Sequence, residues 1–177
     1  MKTSPRKLAY RRWLRWLTVV AVLIGVISTI SYGSGAHLVV RYLNPPLGRW
    51  WNAREYWLMI TAASALGMLI AIRIGVRLLD RDDEAARGRA AGISIVAGAV
   101  VLLPLARLSA SLSKLGWTGA NTFDTYAMDS IVDKVLIAGV YFLKVASFGL
   151  IAGLGIFAVV AMASARGAAA SSKIVQK

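Results

Sequence analysis

Hydrophobic positions in this chain form four long runs, separated by shorter polar or charged segments. The two central runs carry no charge from Tyr56 to Ile72 and from Ala90 to Ala106. Each run matches the hydrocarbon layer of a bilayer, because roughly 17–25 residues at 1.5 Å per residue cross ~30 Å. A backbone in lipid must satisfy its own hydrogen bonds, so each run is predicted to be an α-helix.

The pattern predicts an all-α, polytopic membrane protein with four transmembrane helices arranged as two hairpins, and with both termini in the cytoplasm. Its parts are a basic cytoplasmic N-terminus (1–16), a four-helix transmembrane domain (17–165) and a flexible cytoplasmic tail (166–177). The spans are predicted at about 14–32, 56–79, 90–107 and 135–165.

The orientation follows from the positions of Lys and Arg. Thirteen of them lie in the segments predicted to be cytoplasmic and six in the segments predicted to be outside. The acids in the charged turn at 80–89 do not cancel this signal, because Lys and Arg, rather than net charge, set orientation.

The first span has two interpretations. Residues 1–16 hold six Lys and Arg and no acid, and the apolar run ends in Ser34-Gly35-Ala36. These features are typical of a cleaved signal peptide and equally of a retained signal anchor. The apolar stretch from Trp16 to Tyr32 is longer than the ~7–15 residues of a usual signal core, which favours a retained span.

Two loops separate the hairpin helices in this interpretation. The first covers 37–56, where Pro45-Pro46 are expected to stop a helix, and the second covers 118–134. The third span is expected to end near Pro104. Lys144 precedes the uncharged run from Val145 to Ala165 and is interpreted as an interfacial anchor on the outer side.

Small residues recur at every fourth position in each span. This spacing places them on one stripe of a helix, where another backbone can approach closely. The stripes either pack the four helices against one another or face a neighbouring subunit, and we favour the second interpretation for at least one stripe. The predicted helix-packing residues are Gly25, Gly67, Ala71, Gly75, Ser94, Gly98, Gly149 and Gly153.

Basic and aromatic residues flank the runs, where an interfacial belt forms and long side chains reach the headgroups. The predicted headgroup and interface residues are Arg11, Arg12, Trp13, Trp16, Trp50, Trp51, Trp57, Arg73, Arg77 and Lys144.

Composition excludes several functions. The chain has no cysteine and a single histidine, His37, so thiolate metal sites and a bis-histidine haem within this chain are excluded. No nucleophile–base pair, phosphate-binding loop or metal-ligand spacing occurs in the sequence, and no acid lies within a predicted span. We therefore predict no enzyme activity, no catalytic residue, no metal and no cofactor. The net charge of +13 is attributed to lipid contact and topology, and no direct nucleic-acid binding is expected.

Three segments carry a resemblance to a known family. They are LIAIRIGVRLLDR (69–81), VAGAVVLLPLARL (96–108) and SASLSKLG (109–116), followed by a polar loop with aromatics and a glycine-rich helix. Over roughly 56–165, the chain resembles the DotE/IcmC-like inner-membrane components of type IV secretion systems, which are TraQ-like in IncI-type conjugative plasmids. The resemblance implies a subunit of a conjugation or secretion apparatus in the bacterial inner (cytoplasmic) membrane, with no catalytic residues to carry over.

The expected partners are the lipid bilayer and, in a larger complex, further copies of this chain or other membrane proteins. An alternative is an accessory membrane subunit of a respiratory or transport complex whose cofactor lies on a partner chain. A transporter ranks last, because only Pro104 suggests a broken helix.

Overall fold

Four α-helices form the protein in the computed structural model, which describes residues 9–34, 43–79, 84–112 and 130–175. The helices are α1 (Ala9–Ser34), α2 (Pro45–Leu78), α3 (Glu84–Leu112) and α4 (Ile131–Val175). Each contains a segment long and apolar enough to cross a membrane. The described part of the chain is therefore an all-α, multi-pass membrane fold, as the hydrophobic runs predict.

Helices α2 and α4 begin earlier than predicted. Pro45 opens α2, so the prolines start a helix and do not interrupt one, because the first helical position needs no backbone donor. Ser130 caps α4: its hydroxyl accepts a hydrogen bond from the Val132 backbone N–H at 3.1 Å. Parts of the predicted loops at 37–56 and 118–134 are therefore helical. Residues 35–42 and 113–129 lie outside the described part.

Helices α3 and α4 also end later than predicted. Pro104 lies inside α3, which continues to Leu112, because neighbouring helices and local adjustments tolerate proline in membrane helices. Helix α4 continues to Val175, so most of the segment predicted as a flexible tail has a helical backbone. With 45 residues, α4 is about 68 Å long and exceeds the ~30 Å hydrocarbon layer.

Helix α2 is the centre of the bundle. It has 61% of its span buried, compared with 22–28% in the other three helices. Its most extensive contact is with α4, whereas α1 and α3 hardly touch. Ser64 of α2 faces Gly149, and Gly75 further along α2 faces Phe157, so the two helices run in parallel.

Two apolar clusters lie along this bundle. One contains Leu14, Ile72, Val76 and Phe157, near the start of α1 and the end of α2. The other contains Met59, Ile60, Tyr141 and Val145, near the opposite end. Each cluster adjoins one of the two polar regions described next.

Candidate functional site

A pocket with five arginines lies where α1 and α3 begin and α2 ends. It has a volume of about 400 Å³ and is called the arginine pocket. Its lining residues are Tyr10, Arg11, Leu14 and Arg15 of α1, Arg73, Val76 and Arg77 of α2, and Arg87 of α3. No acidic side chain is among these described lining residues. The structure thus brings together Arg11, Arg73 and Arg77, which the sequence predicted only as separate headgroup contacts.

Arg87 is the buried member of the arginine pocket, with 7% of its surface exposed. One guanidinium nitrogen, Nη2, donates a hydrogen bond to the Leu79 carbonyl, one of the carbonyls at the end of α2 that lack a helical partner. Its Nε is buried and has no hydrogen-bond partner among the described residues. Arg87 therefore links the start of α3 to the end of α2, and its Nε remains available as a donor beside the pocket.

A second polar region lies at the opposite end of the bundle and is called the tyrosine cluster. It consists of Ser31 and Tyr32 of α1, Glu55 and Tyr56 of α2, and Tyr141 of α4. The Ser31 hydroxyl donates a hydrogen bond to Glu55 Oε1. The hydroxyls of Tyr56 and Tyr141 lie 3.1 Å apart, and the rings of Tyr32 and Tyr56 have centroids 5.9 Å apart. These contacts join three helices through neutral hydroxyls and one carboxylate.

Glu55 is the residue of this region that sequence reasoning misplaced. The sequence puts it in a loop outside the membrane, whereas the structure puts it in the span Arg54–Leu78 with 6% of its surface exposed. The available signal was the position of Glu55, four residues after Trp51 and beside Tyr56, within a helical continuation of the apolar run.

All eight predicted helix-packing residues lie inside the bundle. A Cβ on Gly149 would lie 2.9 Å from the Cα of Ser64, and one on Gly153 would lie 2.8 Å from the Cα of Met68. Gly67 faces the backbone of Leu150, at 2.6 Å from such a Cβ to its nitrogen. We call these glycines of α2 and α4, Gly67, Gly149 and Gly153, the glycine seam.

The other five members pack in the same interior. Gly25 and Gly75 lie against aromatic rings, Gly98 lies against the sulfur of Met68, and Ala71 and Ser94 are fully buried. The eight residues therefore pack this chain's helices against one another, and a stripe that faces a neighbouring subunit stays a prediction.

An apolar cleft separates α1 from α3, with α2 as its floor. It has a volume of about 320 Å³ and an almost wholly apolar lining. Leu17 and Ile24 line one wall, Ile95 and Ala99 the other, and Ile72 the floor. Because α1 and α3 hardly touch, this cleft is open to the surroundings along the membrane-spanning part of the bundle.

The predicted interface residues lie on the surface wherever the structure describes their side chains fully. Trp13, Trp16 and Trp57 are exposed, as are Arg11, Arg12, Arg77 and Lys144, and Arg73 is half-buried. The side chains of Trp50 and Trp51 lie outside the described part. Contact of these residues with headgroups stays a prediction.

Lys144 lies further along its helix than the sequence suggests. It is about 20 Å from the start of α4 and follows Tyr141 of the tyrosine cluster by one turn. The exposed apolar residues Val140, Leu143 and Ile151 lie on the same outward side of α4. Lys144 is the only charge between Val135 and Ser164.

The described residues contain no group of three or more His, Asp or Glu side chains able to hold a metal ion. No family model, no curated protein and no solved structure matches this chain. The candidate function therefore depends on the two polar regions, the apolar cleft and the exposed lysine.

Proposed function

We propose that this chain is a non-catalytic membrane subunit of a type IV secretion or conjugation apparatus in the bacterial inner membrane. The proposal combines the four-span fold with the family resemblance of residues 56–165. Assembly would use surfaces other than the glycine seam, because that seam already packs α2 against α4.

The observation that carries an assembly role is the exposure of Lys144. Charged residues within membrane spans face a bundle interior or a water-filled cavity in most proteins, because exposure to hydrocarbon is costly. Lys144 instead points away from this bundle, among the exposed apolar residues Val140, Leu143 and Ile151. A partner that offers a carboxylate or a carbonyl would satisfy this ammonium group, whereas snorkelling to headgroups would satisfy it without a partner.

The test is isolation of the complex from native membranes. Crosslinking before extraction in a mild detergent, followed by mass spectrometry, should recover other components of the secretion or conjugation apparatus. Deletion of the gene should lower transfer or export by at least an order of magnitude. Recovery of the chain as a monomer, or with respiratory subunits only, would contradict the proposal.

Lys144→Gln tests the surface that the proposal uses. It should weaken recovery of the partners, because the neutral amide cannot pair with a carboxylate as an ammonium does. Lys134→Gln is the matched control, since it removes the same charge near the start of the same helix. If both variants recover the partners as well as the wild type, Lys144 is a lipid anchor only.

A topology test addresses the orientation. The chain has no cysteine, so single cysteines at positions 82 and 177 can be labelled without a background signal. Both should react from the cytoplasmic side. Reaction from opposite sides of the membrane would contradict the four-span topology.

A further inference from the structure

We propose that the arginine pocket binds the phosphate group of an anionic phospholipid whose acyl chain lies in the apolar cleft. The inference goes beyond the proposed function, because it concerns a ligand of this chain alone. It would hold equally for a membrane subunit of another complex.

The first argument is the charge of the pocket. Arg11 and Arg15 lie four residues apart on α1, and Arg73 and Arg77 lie four residues apart on α2. Like charges at this spacing repel on a helix. Arg73, Arg77 and Arg87 also meet at one pocket that has no acid among its described lining residues, so an anion placed there would offset this repulsion.

The second argument is the buried donor of Arg87. A guanidinium group has five N–H donors in a planar fork that matches the oxygens of a phosphate. One nitrogen of Arg87 is used at the end of α2, and Nε is buried without a partner among the described residues. A buried donor without an acceptor is costly, so a phosphate oxygen in the pocket would relieve this cost.

The third argument is the continuity of the pocket with the apolar cleft. Leu14 lines the pocket and Leu17 lines the cleft one turn further along α1. Val76 and Ile72 make the same transition on α2, and both belong to one apolar cluster. A ligand with a phosphate at one end and a hydrocarbon chain at the other fits the pocket and the cleft together, whereas free phosphate would fit only the pocket.

The fourth consideration is competition from within the chain. The sequence places Asp80, Asp82 and Asp83 in the connection between α2 and α3, outside the described residues. A carboxylate from this connection would be an internal counter-ion for the same arginines. The experiment must therefore measure binding of an added phospholipid to the full chain.

The experiment uses native mass spectrometry of the full chain in a neutral detergent, with added phosphatidylglycerol or with diacylglycerol of the same acyl chains. Wild-type protein should retain phosphatidylglycerol at least tenfold more tightly than diacylglycerol, since hydrogen bonds to charged groups are the strong ones. The double variant Arg73→Gln/Arg77→Gln should lose about tenfold in affinity or more. Arg87 stays intact, because it also holds the end of α2.

Arg12→Gln/Arg89→Gln is the matched control for charge. Arg12 lies near the start of α1 and Arg89 near the start of α3, the two helix starts that border the pocket. Both side chains are exposed, and neither lines the pocket. This control should change affinity by less than about twofold. An equal loss in the control would show a diffuse surface effect and overturn the pocket.

Ala99→Phe tests the cleft, because Ala99 lines it and a ring would fill the space of an acyl chain. It should weaken phosphatidylglycerol binding, whereas Val96→Phe, on the exposed face of α3 outside the cleft, should not. If inorganic phosphate alone stabilises the chain as much as phosphatidylglycerol does, or if Ala99→Phe has no effect, the lipid assignment is overturned. Equal retention by wild type and Arg73→Gln/Arg77→Gln would overturn phosphate binding itself and favour an internal carboxylate.

Discussion

The two polar regions at opposite ends of this bundle differ in how their polar side chains are paired. In the tyrosine cluster, three helices are joined by contacts that the chain makes with itself: Ser31 to Glu55 and Tyr56 to Tyr141. In the arginine pocket, three helices bring together charges of one sign, and Arg87 donates a hydrogen bond to the Leu79 carbonyl at the end of α2. The first region pairs its polar groups within the chain, whereas the second has no acid among its described lining residues.

The glycine seam holds the tyrosine cluster and the arginine pocket in a fixed relative position, because it packs α2 closely against α4. Gly149→Leu should destabilise the protein by about 3 kcal/mol or more, because the new side chain would overlap the backbone at Ser64. The measurement is unfolding in a denaturing detergent titration. Gly155→Leu is the matched control on the same helix, since nothing lies within 4 Å of its Cβ position, and it should change stability little.

The next largest effect should come from Glu55. Glu55→Ala removes the acceptor of the Ser31 hydroxyl and should lower the free energy of unfolding by about 1.5–3 kcal/mol, the usual contribution of a hydrogen bond to a charged group. Asp133→Ala, an exposed carboxylate near the start of α4, should have a much smaller effect. A gain in stability in Glu55→Ala would show that the buried carboxylate is unfavourable and would make the tyrosine cluster a functional site.

The hydroxyl pair of the tyrosine cluster should contribute less. Tyr56→Phe and Tyr141→Phe should each cost about 0.5–1.5 kcal/mol, because each leaves one hydroxyl without the partner at 3.1 Å. The double variant should cost less than the sum of the two single variants. Strict additivity in this double-mutant cycle would mean that the two hydroxyls do not interact.

The smallest effect, and the opposite sign, is expected in the arginine pocket. In a neutral detergent without phospholipid, Arg15→Gln should raise the free energy of unfolding by about 0.2–0.5 kcal/mol, because it relieves repulsion from Arg11. The gain should disappear at about 1 M salt, because screening then limits interactions between exposed charges to a range of about 3 Å. Arg107→Gln, which has no charged neighbour three or four residues away, should show neither effect.

The sequence predicted what depends on hydropathy alone. The four spans follow from uncharged runs such as Ala90 to Ala106, since any such run must be helical in lipid. Helix ends were less predictable: Pro45 can start a helix as well as end one, and Pro104 is compatible with a continuous α3. Such positions are decided by the contacts of neighbouring helices.

The candidate sites depend on which helices meet, and spacing along one helix does not contain this information. The spacing of four residues identified Gly67 and Gly149 as packing residues. It did not show that they lie next to each other on two parallel helices. Arg73 and Arg77 were predicted as headgroup contacts, while their meeting with Arg15 and Arg87 required the tertiary fold. Glu55 was assigned to a loop because the predicted span began one residue later, at Tyr56, and its burial beside Ser31 depends on the packing of α1.

The parallel pairing of α2 with α4 also has a consequence for the order of events during synthesis. Because α3 separates these helices in the chain, the ribosome must complete nearly the whole polypeptide before Gly67 meets its counterpart. Until then, the face of α2 that contains Gly67 is not covered by α4. Nascent chains that stop after Leu112 should accordingly be substrates for membrane quality-control proteases.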